Sequence, residues 1–278
     1  MALWLPHLPV DRLLRKDARP DGPLVAAAKI GNALCIHALE GRAQRLGLYA
    51  GQPLANAQAM VTGLTVVEAD PAADAKLLEA IADWCDRFTP FVALDSPQGL
   101  FLDITGAAHL FGGEKSMLAR TQTSLAAQGF AVTAAIAGSA AAARALSRHA
   151  SGTITQPGKD AASLAPLPVA ALADEPAALQ ALRRAGLKNI GQVAQRGRAE
   201  LASRFGKNFV ALLEATLGRN DPPISPRRLL PDYSVEQAFA DPVTAEAAIA
   251  GALETLAARL GVMLEQRGEG ARLLEAFF

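Results

Sequence analysis

The sequence predicts an α+β protein assembled from several small modules, on three observations. Short apolar runs of strand length alternate with segments whose apolar residues recur every three or four positions. Hydrophobic residues make up 51% of the chain but aromatics only 5%, with Ala supplying much of the difference, a balance that favours amphipathic helices packed on a modest sheet. Proline-rich stretches near 166–168 and 221–231 punctuate the chain into parts.

In order, residues 2–5 read as a short strand stopped by Pro6, and a helix is expected from Val10 or Asp11 through Leu13 and Leu14. Residues 24–29 and 33–39 flank Gly31-Asn32, a pair suited to a tight hairpin, and short helices follow over 42–46 and 53–60. A strand at 65–69 leads into a helix opened by Pro71, whose Leu77, Ile81, Trp84, Cys85 and Phe88 form one apolar face. Two apolar runs, 91–94 and 100–105, flank a Ser96-Pro97-Gln98-Gly99 turn and read as a β-hairpin. Then come a helix over 114–128, a strand over 131–137, an Ala-rich helix over 140–149 and a short strand over 153–155.

Beyond Pro166 and Pro168 the pattern changes to short helices closed by glycines, at 170–172, 177–185, 190–195, 198–205 and 208–217, which make a small all-α module. A proline-rich linker separates this module from a strand over 233–239, an amphipathic helix over 244–266 and a strand over 271–278. Ile249, Leu253, Leu256, Leu260 and Leu264 give that last helix an apolar face. The chain stops inside its final apolar strand, so a piece of a longer protein is expected.

Net charge is zero, which argues against a strongly basic nucleic-acid binder, but the distribution is uneven. Residues 151–232 carry eleven Lys and Arg against seven Asp and Glu; from 233 onward seven acids face three arginines. A phosphate-binding surface therefore belongs in the third quarter of the chain. Cys35 and Cys85 are far apart with no CxxC pair, and His7, His37, His109 and His149 show no ligand spacing, so neither a disulfide framework nor a metal site is expected. No apolar run reaches spanning length and the first residues lack a signal-peptide pattern, so a cytoplasmic protein with no membrane partner is expected.

This order of elements resembles the Y-family translesion DNA polymerases, a right hand of palm, fingers, thumb and little finger. The stretches LWLPHLPVDRL, ADPAADAKLLEAIADWCDRFTP and LDSPQGLFLDITGAAHLFGG are similar to the non-catalytic ImuB branch of that family. The resemblance implies a palm at 1–10 and 64–166, fingers at 11–63, a helix-hairpin-helix-like thumb at 167–220, a linker at 221–232 and a partial little finger, a truncated βαβ unit, at 233–278. Nucleotidyl transfer needs carboxylates because two divalent cations must be held by hard anionic oxygens. The family's ligand positions fall on Pro6, Gln98 and Gly99, so no catalytic residue, metal or cofactor is expected. Its triphosphate-contacting stretch falls on residues 41–44, with Arg42 and Arg45 able to compensate by a shift of register. The sugar-selecting aromatic falls on Asp11, an acid expected to point at the triphosphate site, and a later phosphate-binding Lys falls near Ser151.

For DNA contact the resemblance points to two helix-hairpin-helix-like turns, with Lys188 and Asn189 in one and Arg204, Gly206, Lys207 and Asn208 in the other, and to Arg227 and Arg228 in the linker. A further hairpin, usually glycine-rich, here reads Ala173-Asp174-Glu175-Pro176, where two acids argue against a phosphate. The implied activity is that of a degenerate polymerase acting as a DNA-binding scaffold in damage tolerance and SOS mutagenesis. Implied partners are primer-template or damaged DNA, an error-prone replicative-type polymerase, the sliding clamp and a RecA-like companion. Two alternatives stay open on the residues alone: an active polymerase using displaced carboxylates such as Asp95 and Asp103, and a protein adaptor without DNA binding.

Overall fold

The computed structural model describes the chain apart from residues 16–19, 173–175, 221–222, 228–232, 234, 240–244, 267, 269, 272–273, 275 and 277–278. It divides into two compact units, Met1–Arg228 and Leu229–Phe278.

In the first unit, β1 (Ala2–Trp4) is followed by α1 (Leu8–Leu14), the hairpin β2 (Leu24–Ile30) and β3 (Ala33–Leu39), α2 (Gly41–Arg45), α3 (Leu54–Met60) and β4 (Thr65–Glu68). Then come α4 (Pro71–Cys85), β5 (Val92–Asp95), β6 (Gly99–Leu102), α5 (Glu114–Ala127), β7 (Thr133–Ala135) and α6 (Ala140–His149). The helices α7 (Asp160–Leu164), α8 (Pro176–Arg184), α9 (Ile190–Ala194), α10 (Arg198–Phe205) and α11 (Lys207–Thr216) complete it.

The strands form two sheets. One has the order β5-β6-β1-β7 with every neighbouring pair antiparallel; the other, β3-β2-β4, pairs β2 antiparallel to β3 and parallel to β4. On β6, Leu100 and Leu102 turn inward, and with Ile104 they join Leu3, Leu78, Ile81, Met117 and Leu125 in one buried cluster. On β1 and β7 both faces are covered, since Ala2 and Leu3, and Ala134 and Ala135, are all buried. α4 and α6 begin as their sequences dictate: Asp70 accepts a hydrogen bond from Ala73 N (2.9 Å) and Ser139 from Ala142 N (3.1 Å). α6, through Ala142, Ala145 and Leu146, shares a second core with Ala135 of β7 and with Leu164, Leu182, Ile190, Leu213 and other residues of the helical module. That common core is why residues on both sides of Pro166 pack as one unit.

Several expectations need correction. The strand over 131–137 shortens to β7, and residues 153–155 form a single parallel bridge, Ile136 to Ile154, rather than a strand. α7 was not expected from its sequence, DAASL, which is too short to show a period. In the second unit the one element among the described residues is α12 (Glu246–Glu265); no strand forms among the described residues of 233–239, and the strand expected at 271–278 lies largely outside the described residues. None of the residues of α12 is buried, and Leu253, Val262 and Met263 stand exposed. The expectation that nothing is apolar enough to span a membrane also fails on α12, whose mean hydropathy of 1.5 and 20-residue length meet that test by composition.

Candidate functional site

The β5–β6 turn is where the family's metal-binding carboxylates would sit, and the structure brings the three aligned positions together. Trp4 pairs with Gly99 across β1 and β6, and Leu5 N–H donates to the Gln98 carbonyl (2.8 Å), which sets Pro6 beside Gln98 and Gly99. None of the three carries an anionic group. Gly99 is buried, and a Cβ placed on it would stand 2.8 Å from Asp95 Oδ2, 2.9 Å from the Asp95 carbonyl oxygen and 3.0 Å from Asp95 Cβ. Asp95 has therefore filled the space into which a side chain at position 99 would grow.

Two arginines hold Asp95 there. Arg144 Nε donates to Asp95 Oδ1 (3.1 Å) and Oδ2 (3.0 Å), and Arg148 donates a terminal guanidinium N–H to Oδ2 at 3.1 Å. Arg144 and Arg148 are four residues apart on α6, hence on one helix face, and the Arg148 guanidinium lies 5.7 Å from the centre of the Trp4 ring. A carboxylate shared by two guanidiniums has its oxygens engaged and its charge offset, which leaves it a poor ligand for a divalent cation. Sequence reasoning missed this cluster, although two arginines on one face of an Ala-rich helix were a signal that an acid was to be found.

The displaced carboxylates do not converge. Asp103 lies at the far end of β6 from the turn, about 13 Å along a regular strand from Gly99, and its Oδ1 accepts from Thr105 N at 2.9 Å. Asp11, expected to point at a triphosphate, instead is 8% exposed and accepts a hydrogen bond from Ala131 N (2.8 Å) through Oδ2. Burial pushes the Asp11 carboxyl above 3.8, while the Ala131 N–H, His7 and Arg15 pull it part of the way back. Among the described residues no group of three or more His, Cys, Asp or Glu is placed to hold a metal ion. Burial pushes the Cys85 thiol up to about 12, which makes it an inert packing residue.

The triphosphate stretch is likewise turned to structural use. Arg42 Nε donates to buried Glu40 (2.8 Å), and its terminal N–H groups reach the carbonyls of Pro20 (3.2 Å), Asp21 (3.4 Å) and Gly22, so Arg42, read from the sequence as able to compensate by a shift of register, clamps that loop. Arg45 is exposed. Ser151 Oγ accepts from Ala134 N (3.3 Å) and Gln122 Nε2 (3.4 Å), tying it to β7.

The two turns of the helical module differ. Before α9, Asn189 Oδ1 accepts from Gln192 N (2.9 Å) and Gln192 Oε1 accepts from Lys188 N (2.7 Å), a reciprocal cap that ties up the backbone N–H expected to meet a phosphate; the Lys188 side chain stays exposed. Between α10 and α11, Gly206 takes φ 86°, a left-handed conformation glycine adopts without cost, and no side chain caps the start of α11. Arg204, Gly206, Lys207 and Asn208 are all exposed there, on the core contact made by Phe209 and Val210. Arg183, Arg184, Arg196 and Arg198 add exposed cations on the same module. The site expectation for Arg227 meets a different arrangement, since its guanidinium is held by acids of α4, and Arg228 and the loop residues 173–175 lie outside the described residues.

Comparison with known proteins places these features. Residues 9–148 match the impB/mucB/samB family. Protein ImuB of Caulobacter vibrioides (strain NA1000 / CB15N) is 43% identical over 234 residues, covering 84% of this chain and 51% of that protein. DNA polymerase IV of Dehalococcoides mccartyi (strain CBDB1) is 24% identical over 274 residues, 96% of this chain and 69% of that one. Among solved structures, an insertion ternary complex of Dbh DNA polymerase superposes with a TM-score of 0.68 at 14% identity, covering 80% of this chain and 68% of that one. DinB from Sulfolobus solfataricus gives 0.67 at 16% identity, covering 81% and 68%. The fold is thus that of the Y-family polymerases, and the chain spans about half the length of the ImuB proteins it matches.

Proposed function

Since the chain belongs to the impB/mucB/samB family, we propose that it is a non-catalytic Y-family homologue that serves as a DNA-binding scaffold in translesion synthesis and SOS mutagenesis. The observation that carries this reading is the filled turn: Asp95, clamped by Arg144 and Arg148, occupies the room beside Gly99. Two-metal catalysis requires anionic oxygens free to hold the cations, and at this turn the carboxylate of Asp95 is already engaged by two guanidiniums.

In this reading residues 1–10 and 64–166 form the palm, 11–63 the fingers and 167–220 the thumb, with a linker over 221–232 and a partial little finger over 233–278. The thumb grips the DNA backbone without reading sequence, through the open start of α11 with Arg204 and Lys207 and through the exposed Lys188. The likeness to ImuB and to polymerase complexes supports this use of the fold in the cytoplasm, beside an error-prone replicative-type polymerase, the sliding clamp and a RecA-like companion.

Primer extension with magnesium or manganese tests the non-catalytic half, and no product is expected on any template. Extension that disappears in Asp95→Ala or Asp103→Ala would instead establish a polymerase with displaced carboxylates. Fluorescence anisotropy with a primer-template in low salt tests the scaffold half. Absence of binding there would leave a protein adaptor.

A further inference from the structure

We propose that residues 223–227 are a strap fastened to the first unit by an electrostatic latch at Arg227, and that the latch opens without unfolding what lies beneath. The latch is built from one face of α4. Glu79, Asp83 and Asp86 recur at four and three residues, so their carboxylates converge on a single guanidinium. Arg227 donates to the Glu79 carboxylate, to the Glu79 carbonyl (3.3 Å) and to Asp83 Oδ1 (2.6 Å), with Asp86 Oδ2 at 3.9 Å. Its side chain is only 13% exposed, whereas those of Glu79 and Asp83 are 49% and 56% exposed.

Backbone and apolar contacts complete the strap. Arg227 N–H donates to the Val92 carbonyl (2.9 Å) at the start of β5, the edge strand of its sheet. Pro223, Ile224 and Pro226 form one wall of a cleft of about 750 Å³ whose other walls include Phe91, Phe101, Ile104 and Ile136. Prolines suit this segment because it forms no regular secondary structure and their missing N–H groups leave nothing unsatisfied.

Such a fastening is reversible. Little apolar surface is committed, since Pro223 and Ser225 are exposed and Ile224 and Pro226 only half-buried, so charge carries much of the hold. Ion pairs whose acids face solvent are individually weak and are screened by salt, the Debye length falling from about 10 Å at 0.1 M to about 3 Å at 1 M. Opening would bare the cleft and its apolar wall and release five residues of chain, on the order of 15 Å at about 3.1 Å per residue. Through 228 the arrangement lies wholly in the first unit, and the inference does not depend on the DNA-scaffold reading.

Limited trypsin digestion reads the latch directly, because cleavage after Arg227 requires its guanidinium to leave the acids and enter the protease. With Arg228→Gln in every protein, cleavage there reports Arg227 alone. At 0.1 M NaCl the change Glu79→Gln/Asp83→Asn/Asp86→Asn should speed this cleavage about tenfold, leaving sites in the helical module unchanged. Glu79→Gln alone, the milder change should the triple variant fold poorly, should speed it about threefold. Raising salt to 1 M should shrink the ratio between variant and parent toward one. Hydrogen exchange at the Arg227 amide should lose protection by a similar factor. Equal cleavage rates and equal exchange in parent and Glu79→Gln at 0.1 M salt would overturn the latch.

Discussion

The β5–β6 turn and the α10–α11 turn are both glycine-bearing turns, at Gly99 and Gly206, mounted on a packed core, yet one is closed and the other open. At Gly99 the missing side chain makes room for a neighbour: Asp95 folds into the space and is held by two guanidiniums. At Gly206 nothing lies within 4 Å of a built Cβ, φ is 86°, and the cations at Arg204 and Lys207 face solvent. A glycine can thus record either a filled site or a presented one. What distinguishes them is whether the surrounding charges are directed at each other or outward.

The largest expected effect breaks the open turn. Arg204→Glu/Lys207→Glu should weaken primer-template binding by about a hundredfold in low salt and reduce the slope of log K against log salt by about two, since each neutralised phosphate contributes about 0.9 to that slope. Unchanged anisotropy curves would remove α11 from the interface. Next, Asp95→Ala should destabilise the first unit by about 2 kcal/mol, because two partly buried guanidiniums lose their shared carboxylate; these side chains are 16–25% exposed, so solvent screening keeps the figure below that of a fully buried pair. Thermal melting should register a fall of several degrees, and no gain in primer extension.

A smaller effect sharpens the contrast within the helical module. Gln192→Ala removes the reciprocal cap at Lys188 and should cost about 1 kcal/mol, while its DNA affinity holds or rises slightly as the Lys188 N–H is released. The smallest concerns Asp11. Its folded carboxyl titrates above 3.8, so the stability it contributes is fully present below that pH and is lost as pH rises through the raised value. Relative to Asp11→Asn, the wild-type urea midpoint should therefore decline as pH rises from below 3.8 through the raised value, and parallel profiles would contradict the burial assigned to Asp11.

Local features of the fold were legible in the sequence. The β5–β6 hairpin, the helix opened by Pro71 and the glycine stop before α11 follow from residue order, because each is decided by neighbours within a few positions. The strand expected at 233–239 follows the same rules, yet none forms among its described residues, since apolar alternation states what a strand would bury and not whether a partner is there. The candidate site depended on pairings between distant parts of the chain. Asp95 meets Arg144 across 49 residues and Arg227 meets Glu79 across 148, distances over which no pattern in either segment names the other. Counting charges from 151 to 232 placed Arg227 with the DNA-facing cations; the acids spaced along α4 were an equal claim on it. Asp160 is similar: it accepts from Gly138 N at 3.0 Å and from Thr155 Oγ1, a junction invisible until the segments are folded together.

The contact between Gly99 and Asp95 also limits what position 99 can carry. Any side chain there would place its first carbon 2.8 Å from Asp95 Oδ2, displacing the acid from Arg144 and Arg148. Substitution at 99 is therefore coupled to three other positions, because a larger residue is accommodated only where Asp95 or its arginines change with it. A residue without a side chain thus sets the terms on which its neighbours vary.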